Sequence, residues 1–311
     1  MSYDIEYIGK VAHNIAKRYF KESLEAVSIW GQILHPDEFN EALDTINVMV
    51  VLNRMIEDRL IVQSSLQFDL QTVLEKRTCV DIVHIDDFHD GYLEGIADYV
   101  LAVQNAFFAL SSKAIDELKN MQYKCSTRAI NFSLERAFVA YGMALNDAMH
   151  GQLDMLLEDA YNCLRYSSIA LIQNTYNHVP CSWKEIHDHI REIKIVGIND
   201  IFTRVYESIK LAIAKAGSLS EILPKTRSPS ETFQNILSDD DFYSCIIYTY
   251  EFMRKVWSCV RGKEIMTLDE FMSMLDHEMR EEGIVGIEIW RVDPRPLVKI
   301  KKIGVIENIE L

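Results

Sequence analysis

The chain of 311 residues is 49% apolar and 25% charged, with only 12 Gly and 6 Pro, which excludes collagenous, low-complexity and disordered classes. Its 32 Lys and Arg against 47 Asp and Glu leave a formal net charge of −15. That argues against a surface built to hold duplex DNA or anionic lipid, though not against a nucleotide held through a metal ion.

A chain of this length predicts about two domains at roughly 100–200 residues each, long enough to bury a core without disulfide or metal staples. From residue 3 to about 21, Ile5, Ile8, Val11, Ala12, Ile15 and Tyr19 recur at three- and four-residue steps, the stripe of an amphipathic helix. Residues 26–30 form a short β-type run stopped by Gly31, and a polar stretch with Pro36, Asp37, Glu38 and Glu41 follows. The run INVMVVL at 46–52 is apolar on both faces, as a central strand is. A helical or mixed segment at 66–76 leads to a third strand at 79–85. This alternation predicts a small α/β domain over residues 1–92.

Beyond Asp90-Gly91 the β signal nearly vanishes up to about residue 216, and a larger helical domain is expected over 93–283. Leu153, Leu157, Ala160, Tyr161, Leu164, Ser168, Leu171 and Ile172 trace one helix face, which Asn177-His178-Val179-Pro180 ends. Ser182 then offers an N-cap, with Glu185 completing a capping box. A loop is expected over 217–231, and helices over 239–259 and 268–282. Residues 284–311 alternate about Asp293-Pro294-Arg295-Pro296, predicting a C-terminal β-hairpin with Lys299, Lys301 and Lys302 on a solvated strand edge. The fold class expected is therefore α+β/α: a small mixed sheet, a helical bundle and a short hairpin.

Cys79, Cys125, Cys163, Cys181, Cys245 and Cys259 form no CxxC pair, so neither a zinc ribbon nor a thioredoxin-type site is encoded. They read as buried free thiols of a reducing compartment. The first twenty residues lack a continuous apolar core, and no apolar run nears the roughly 20 residues of a membrane helix. A cytoplasmic protein with no membrane partner is expected.

Val27-Ser28-Ile29-Trp30-Gly31-Gln32, followed after a polar loop by Asp44-Thr45-Ile46-Asn47-Val48-Met49-Val50-Val51-Leu52, resembles the nucleotidyltransferase-fold superfamily. There a strand ends in Gly-Ser, and a loop and helix lead to an Asp-x-Asp strand that opens on an aliphatic run. Cys79-Val80-Asp81-Ile82-Val83 falls where the third strand and third carboxylate belong. The resemblance is closest to minimal nucleotidyltransferases and the kanamycin nucleotidyltransferase group, in which a helical domain follows. Such enzymes clamp the attacking and leaving oxygens with two divalent ions, so anionic oxygen ligands are required. A small turn lets backbone N–H groups approach the triphosphate.

Here Gln32 stands at the serine, Thr45 at the first carboxylate and Asn47 at the second. Asp81 is retained, while Asp44 lies one residue early, an offset that reverses a strand side chain. The resemblance implies a cleft lined by Gly31, Gln32, Thr45, Asn47 and Asp81 that takes a nucleotide or a partner, with catalysis degenerate. The alternatives are an active magnesium enzyme, with Asp44 and Asp81 as ligands, moving a nucleoside monophosphate from a nucleoside triphosphate to a small molecule or protein, and a scaffold that forms a homodimer through its helical domain.

A second resemblance covers residues 146–193. The run LEDAYNCLRYSSIALI at 157–172, then Pro180-Cys181-Ser182-Trp183-Lys184-Glu185-Ile186-His187-Asp188, is similar to HEPN-type helical bundles. The ribonuclease branch uses Arg-x(4–6)-His on a late helix. The match here, Arg77 to His84, crosses the third strand, and no ribonuclease activity is assigned. His187-Asp188-His189 are helix neighbours about 100° apart that do not converge on one ion. His84 to Asp90, with Asp86 and Asp87, reads as a helix N-terminus, as does Asp239-Asp240-Asp241.

Overall fold

Ile8, Ala12, Ile15, Ala16 and Phe20 lie on the buried side of helix α1 (Ile5–Phe20), whose N-terminus is capped by Asp4 Oδ1 accepting the Tyr7 N–H at 2.9 Å. In this computed structural model the residues described are 4–40, 43–54, 56–220, 236 and 238–262. The helix expected at 268–282, the hairpin at 284–311 and most of the loop at 217–231 lie outside them.

Strand β1 (Leu24–Trp30) pairs antiparallel with β2 (Ile46–Leu52), and β2 pairs parallel with β3 (Thr78–His84). The parallel pair needs a crossover, which helix α2 (Arg59–Leu74) supplies. On its other edge β1 takes β4 (Ala106–Leu110) antiparallel, giving the order β3-β2-β1-β4. The chain is thus a mixed α/β protein with a small four-stranded sheet. Directly paired residues share a face, because side chains alternate along each strand. Val27, Ile29, Ile46, Val48, Val50, Val80 and Ile82 face one way and form the core with Ile8, Ala12 and Ile15 of α1 and Leu66 and Leu70 of α2. The opposite face carries Ser28 and Trp30, paired with Met49 and Asn47, which in turn pair with Asp81 and Cys79. Each fully buried Val, Leu or Ile contributes about 1.5–3 kcal/mol, and the nearly unbroken apolar run of β2 marks it as an internal strand.

Strand β4 departs from the expectation of negligible β structure beyond residue 92. Ala106-Phe107-Phe108-Ala109-Leu110 follows helix α4 (Ala97–Gln104), and all five of its residues are half-buried. With no buried/exposed alternation and an apolar helix just before it, the segment carries no period-2 signal of its own. Between β3 and α4 runs helix α3 (Ile85–Leu93), capped by His84 Nδ1 accepting the Asp86 N–H at 3.2 Å. The acids Asp86 and Asp87 occupy its first turn, where the helix dipole favours them.

Helices α5 (Lys113–Leu118), α6 (Thr127–His150), α7 (Leu153–Tyr176), α8 (Trp183–Glu192), α9 (Ile198–Ser220) and α10 (Asp240–Arg261) complete the described elements. The chain divides into two compact units, residues 1–133 with 172–192, and residues 134–171 with 193–311. The first unit contains the sheet and α8. Its buried Gln173 receives the Ser133 hydroxyl at 2.7 Å and donates to the Gly95 carbonyl at 2.8 Å. In the second unit α9 and α10 pack together through Phe202 and Phe252, ring centroids 5.7 Å apart. Tyr141 stacks on Tyr250 at 5.5 Å. Asp239 caps α10 by accepting the Asp241 N–H at 3.0 Å, and Lys215 bridges to both Asp239 and Asp241. No helix among the described residues is long and apolar enough to cross a membrane.

Candidate functional site

The sheet face opposite α1 and α2 ends at Gly31, which leaves β1 with φ +91° and opens a 3₁₀ turn over Gln32–Leu34. Only glycine adopts this backbone readily. Asn47, which pairs with Trp30, reaches the turn with its side chain, and a Cβ on Gly31 would stand 2.7 Å from Asn47 Nδ2. The amide of Asn47 therefore lies against this turn.

Thr45 and Asn47 are two residues apart at the entry to β2, and the Thr45 hydroxyl donates to Asn47 Oδ1 at 3.3 Å. These two positions thus hold a neutral hydroxyl and a neutral amide bonded to each other. Both side chains are half-buried. Gln32, at the serine position, is 1% exposed, and neither its amide oxygen nor its amide nitrogen has a hydrogen-bond partner. Leaving both groups buried and unmatched costs free energy that a ligand or water supplying partners would recover.

Asp81 lies on β3 opposite Met49, and Asn47 opposite Cys79, so Asp81 and Asn47 share a face one pair apart. Asp81 is half-buried. Asp44 is 9% exposed, and its Oδ2 accepts the Asn40 N–H at 2.8 Å while its own N–H donates to the Asn40 carbonyl at 2.8 Å. One carboxylate oxygen of Asp44 is therefore occupied in closing its own loop. Asp44 and Asp81 belong to no cluster of three or more potential metal ligands among the described residues.

The loop after Gly31 is anchored at a point that sequence reasoning missed. Glu38 accepts the N–H groups of Trp183 (Oε2, 2.7 Å) and Lys184 (Oε1, 3.3 Å) at the start of α8. His35 is held by the Asn105 amide, Nδ2 to Nε2 at 3.0 Å, and the same Nδ2 donates to the Cys181 carbonyl at 3.1 Å. The expected N-cap is present, with the Glu185 N–H donating to Ser182 Oγ at 3.2 Å. The reciprocal half of the capping box is displaced by one residue, because Glu185 Oε2 accepts the Cys181 N–H at 2.7 Å instead.

His187 and His189 diverge as the helix spacing requires. The His187 ring faces Trp183, centroids 6.4 Å apart, and the His189 ring faces Tyr176 at 5.0 Å. The side chains that do converge as potential metal ligands are His178, Glu185 and His189.

No protein-family model and no curated protein matches the chain. Among solved structures it is similar to a nucleotidyltransferase-like protein from Exiguobacterium sibiricum 255-15, at 10% identity over 97% of this chain and 92% of that one, with a TM-score of 0.28. A likeness this loose bears on neither the fold nor the chemistry, which rest on the strand order and side-chain geometry.

Proposed function

We propose that the Gly31/Asn47 end of the sheet is a nucleotidyltransferase-type site that retains nucleotide binding and has lost two-metal transfer. The observation that carries this reading is the hydrogen bond from Thr45 to Asn47 Oδ1, with the Asn47 amide set against Gly31. A neutral pair at those two positions supplies no anionic oxygen to a magnesium ion, which seeks carboxylates. The adjacency of β1, β2 and β3 and the positive φ of Gly31 support the resemblance, and the unmatched amide of Gln32 offers a donor and an acceptor to a nucleotide. On this reading Gly31, Gln32, Thr45, Asn47 and Asp81 line the site, and the helical remainder is HEPN-like.

The test is a thermal-shift titration of the full chain with ATP, GTP, CTP and UTP, each with and without Mg²⁺. A nucleotide that binds the native state alone stabilises it by about 2.7 kcal/mol at a hundredfold excess over Kd. The expected result is a rise of Tm that needs no metal. A rise seen only with Mg²⁺ and lost in Asp81→Asn would instead support the active magnesium enzyme, with Asp44 and Asp81 as the proposed ligands. No rise with any triphosphate would leave the self-associating scaffold as the function.

A further inference from the structure

We propose that His178, Glu185 and His189 form a binding site for a single divalent transition metal ion of the zinc class. Glu185 and His189 are four residues apart on α8 and so lie on one face of it. His178 comes from the connection between α7 and α8, where Asn177 turns the chain with φ +55°. The ligand atoms of all three lie within 4.8 Å of one another. His178 Nε2 is 2.5 Å from Glu185 Oε1, and His189 Nε2 is 3.8 Å from the same oxygen. Ligands about 2.0–2.2 Å from a tetrahedral Zn²⁺ stand about 3.3–3.6 Å from each other. The two separations bracket that range, so small side-chain rotations admit the ion.

The donors are also braced from behind. The Tyr123 hydroxyl lies 3.3 Å from His178 Nδ1, and the Cys181 N–H holds Glu185 Oε2 at 2.7 Å. Tyr176 packs against the His189 ring at 5.0 Å. Such partners orient metal-binding imidazole and carboxylate groups. Two imidazoles with one carboxylate suit zinc, whereas calcium and magnesium take all-oxygen shells and copper(I) takes sulfur. The three side chains are 35%, 33% and 25% exposed, so an ion enters from solvent and water completes its fourth position. To bind an ion His178 offers the Nε2 lone pair of a neutral imidazole, its single ring proton then lying on Nδ1, the nitrogen that faces the Tyr123 hydroxyl. The ion would brace the start of α8, where Glu38 also fastens the loop that follows Gly31.

The test uses the full chain stripped with EDTA and titrated with Zn²⁺ by calorimetry and with Co²⁺ by visible absorption. One ion per chain is expected, with a tetrahedral Co²⁺ spectrum free of thiolate charge transfer. Binding is abolished in His178→Ala and His189→Ala and retained in His187→Ala and Cys79→Ser. Glu185→Gln keeps an acceptor for the Cys181 N–H, and its Zn²⁺ affinity falls by more than about tenfold while its circular dichroism is unchanged. Absence of binding, binding indifferent to both histidine variants, or binding lost in Cys79→Ser would overturn the site. If the alanine variants fail to fold, an unchanged affinity in folded Glu185→Gln overturns it equally.

Discussion

Glu38 and Trp183 are 145 residues apart in the chain, and the carboxylate of one accepts the backbone N–H of the other at 2.7 Å. The first N–H groups of a helix have no partner within it, so Glu38 satisfies two orphan donors of α8 while fixing the loop that leaves Gly31.

Replacing Glu38 with Ala removes that cap and is expected to lower stability by about 1 kcal/mol, within the roughly 0.5–2 kcal/mol span of such losses. Urea denaturation of the full chain reads it as a lower midpoint at constant slope. Glu38→Gln, which still offers an amide oxygen, loses less. Identical midpoints for wild type and Glu38→Ala would contradict the assignment.

Gly31→Ala places a side chain in a backbone region almost restricted to glycine, at a cost of roughly 1–3 kcal/mol. It also drives a methyl group into the Asn47 amide, so the Thr45 hydrogen bond is disturbed as well. Gly262, with φ +66° and nothing within 4 Å of an added Cβ, is the comparison. Gly31→Ala is expected to lower Tm more than Gly262→Ala, and the reverse order would show that the Gly31 turn is not under constraint.

Asp147 in the second unit has its carboxyl pushed above the ordinary value of 3.8, chiefly by burial, with hydrogen bonds to Asp159 and Asn146 pulling the other way. A folded-state value above the unfolded one means the native state holds the proton more tightly. Its contribution is therefore fully favourable below 3.8 and is lost as pH rises through the raised value. Asp147→Asn is expected to raise Tm relative to wild type at pH 7, with the gain shrinking as pH approaches 4. A gain that does not vary with pH would exclude ionisation as its cause.

The thiols divide sharply by environment. Burial pushes Cys125 up to about 11 and Cys245 up to about 12, and raises fully buried Cys163 as well. Cys79 on β3 is exposed. Since the thiolate is the reactive form, a disulfide reagent added to the native chain should label Cys79 first and reach Cys125, Cys163 and Cys245 only after unfolding. Mass mapping of the labelled peptides checks this, and early modification of Cys163 would contradict its burial.

What the sequence disclosed depended on whether the signal was local. Strand β2 was legible to the residue because six of its seven positions are apolar, Asn47 being the exception, and the run is bounded by the polar Thr45 and Asn53. The end of α7 was legible because Pro180 constrains its neighbour, and the caps of α3 and α10 because their acids sit beside the N–H groups they favour. Strand β4 was not, since Phe107 and Phe108 read as a continuation of Val100 and Val103 until β1 is there to pair with them. Gly31 and Asn47 could be nominated from a motif, but their contact, like that of Glu38 with α8, exists only in three dimensions. Spacing marks Glu185 as half of a capping box, while its bond to His178 depends on how the α7–α8 connection turns.

The position of β1 between β2 and β4 bears on the order in which the protein can assemble during synthesis. The N-terminal strands β1, β2 and β3 leave the ribosome well before Ala106–Leu110. Throughout that interval the nascent three-stranded ribbon presents the outer rim of β1, an unpaired row of backbone groups able to recruit a strand from another chain. Arrival of Ala106–Leu110 outside the ribosome covers that rim and makes β1 an internal strand, leaving β3 and β4 as the edges of the sheet.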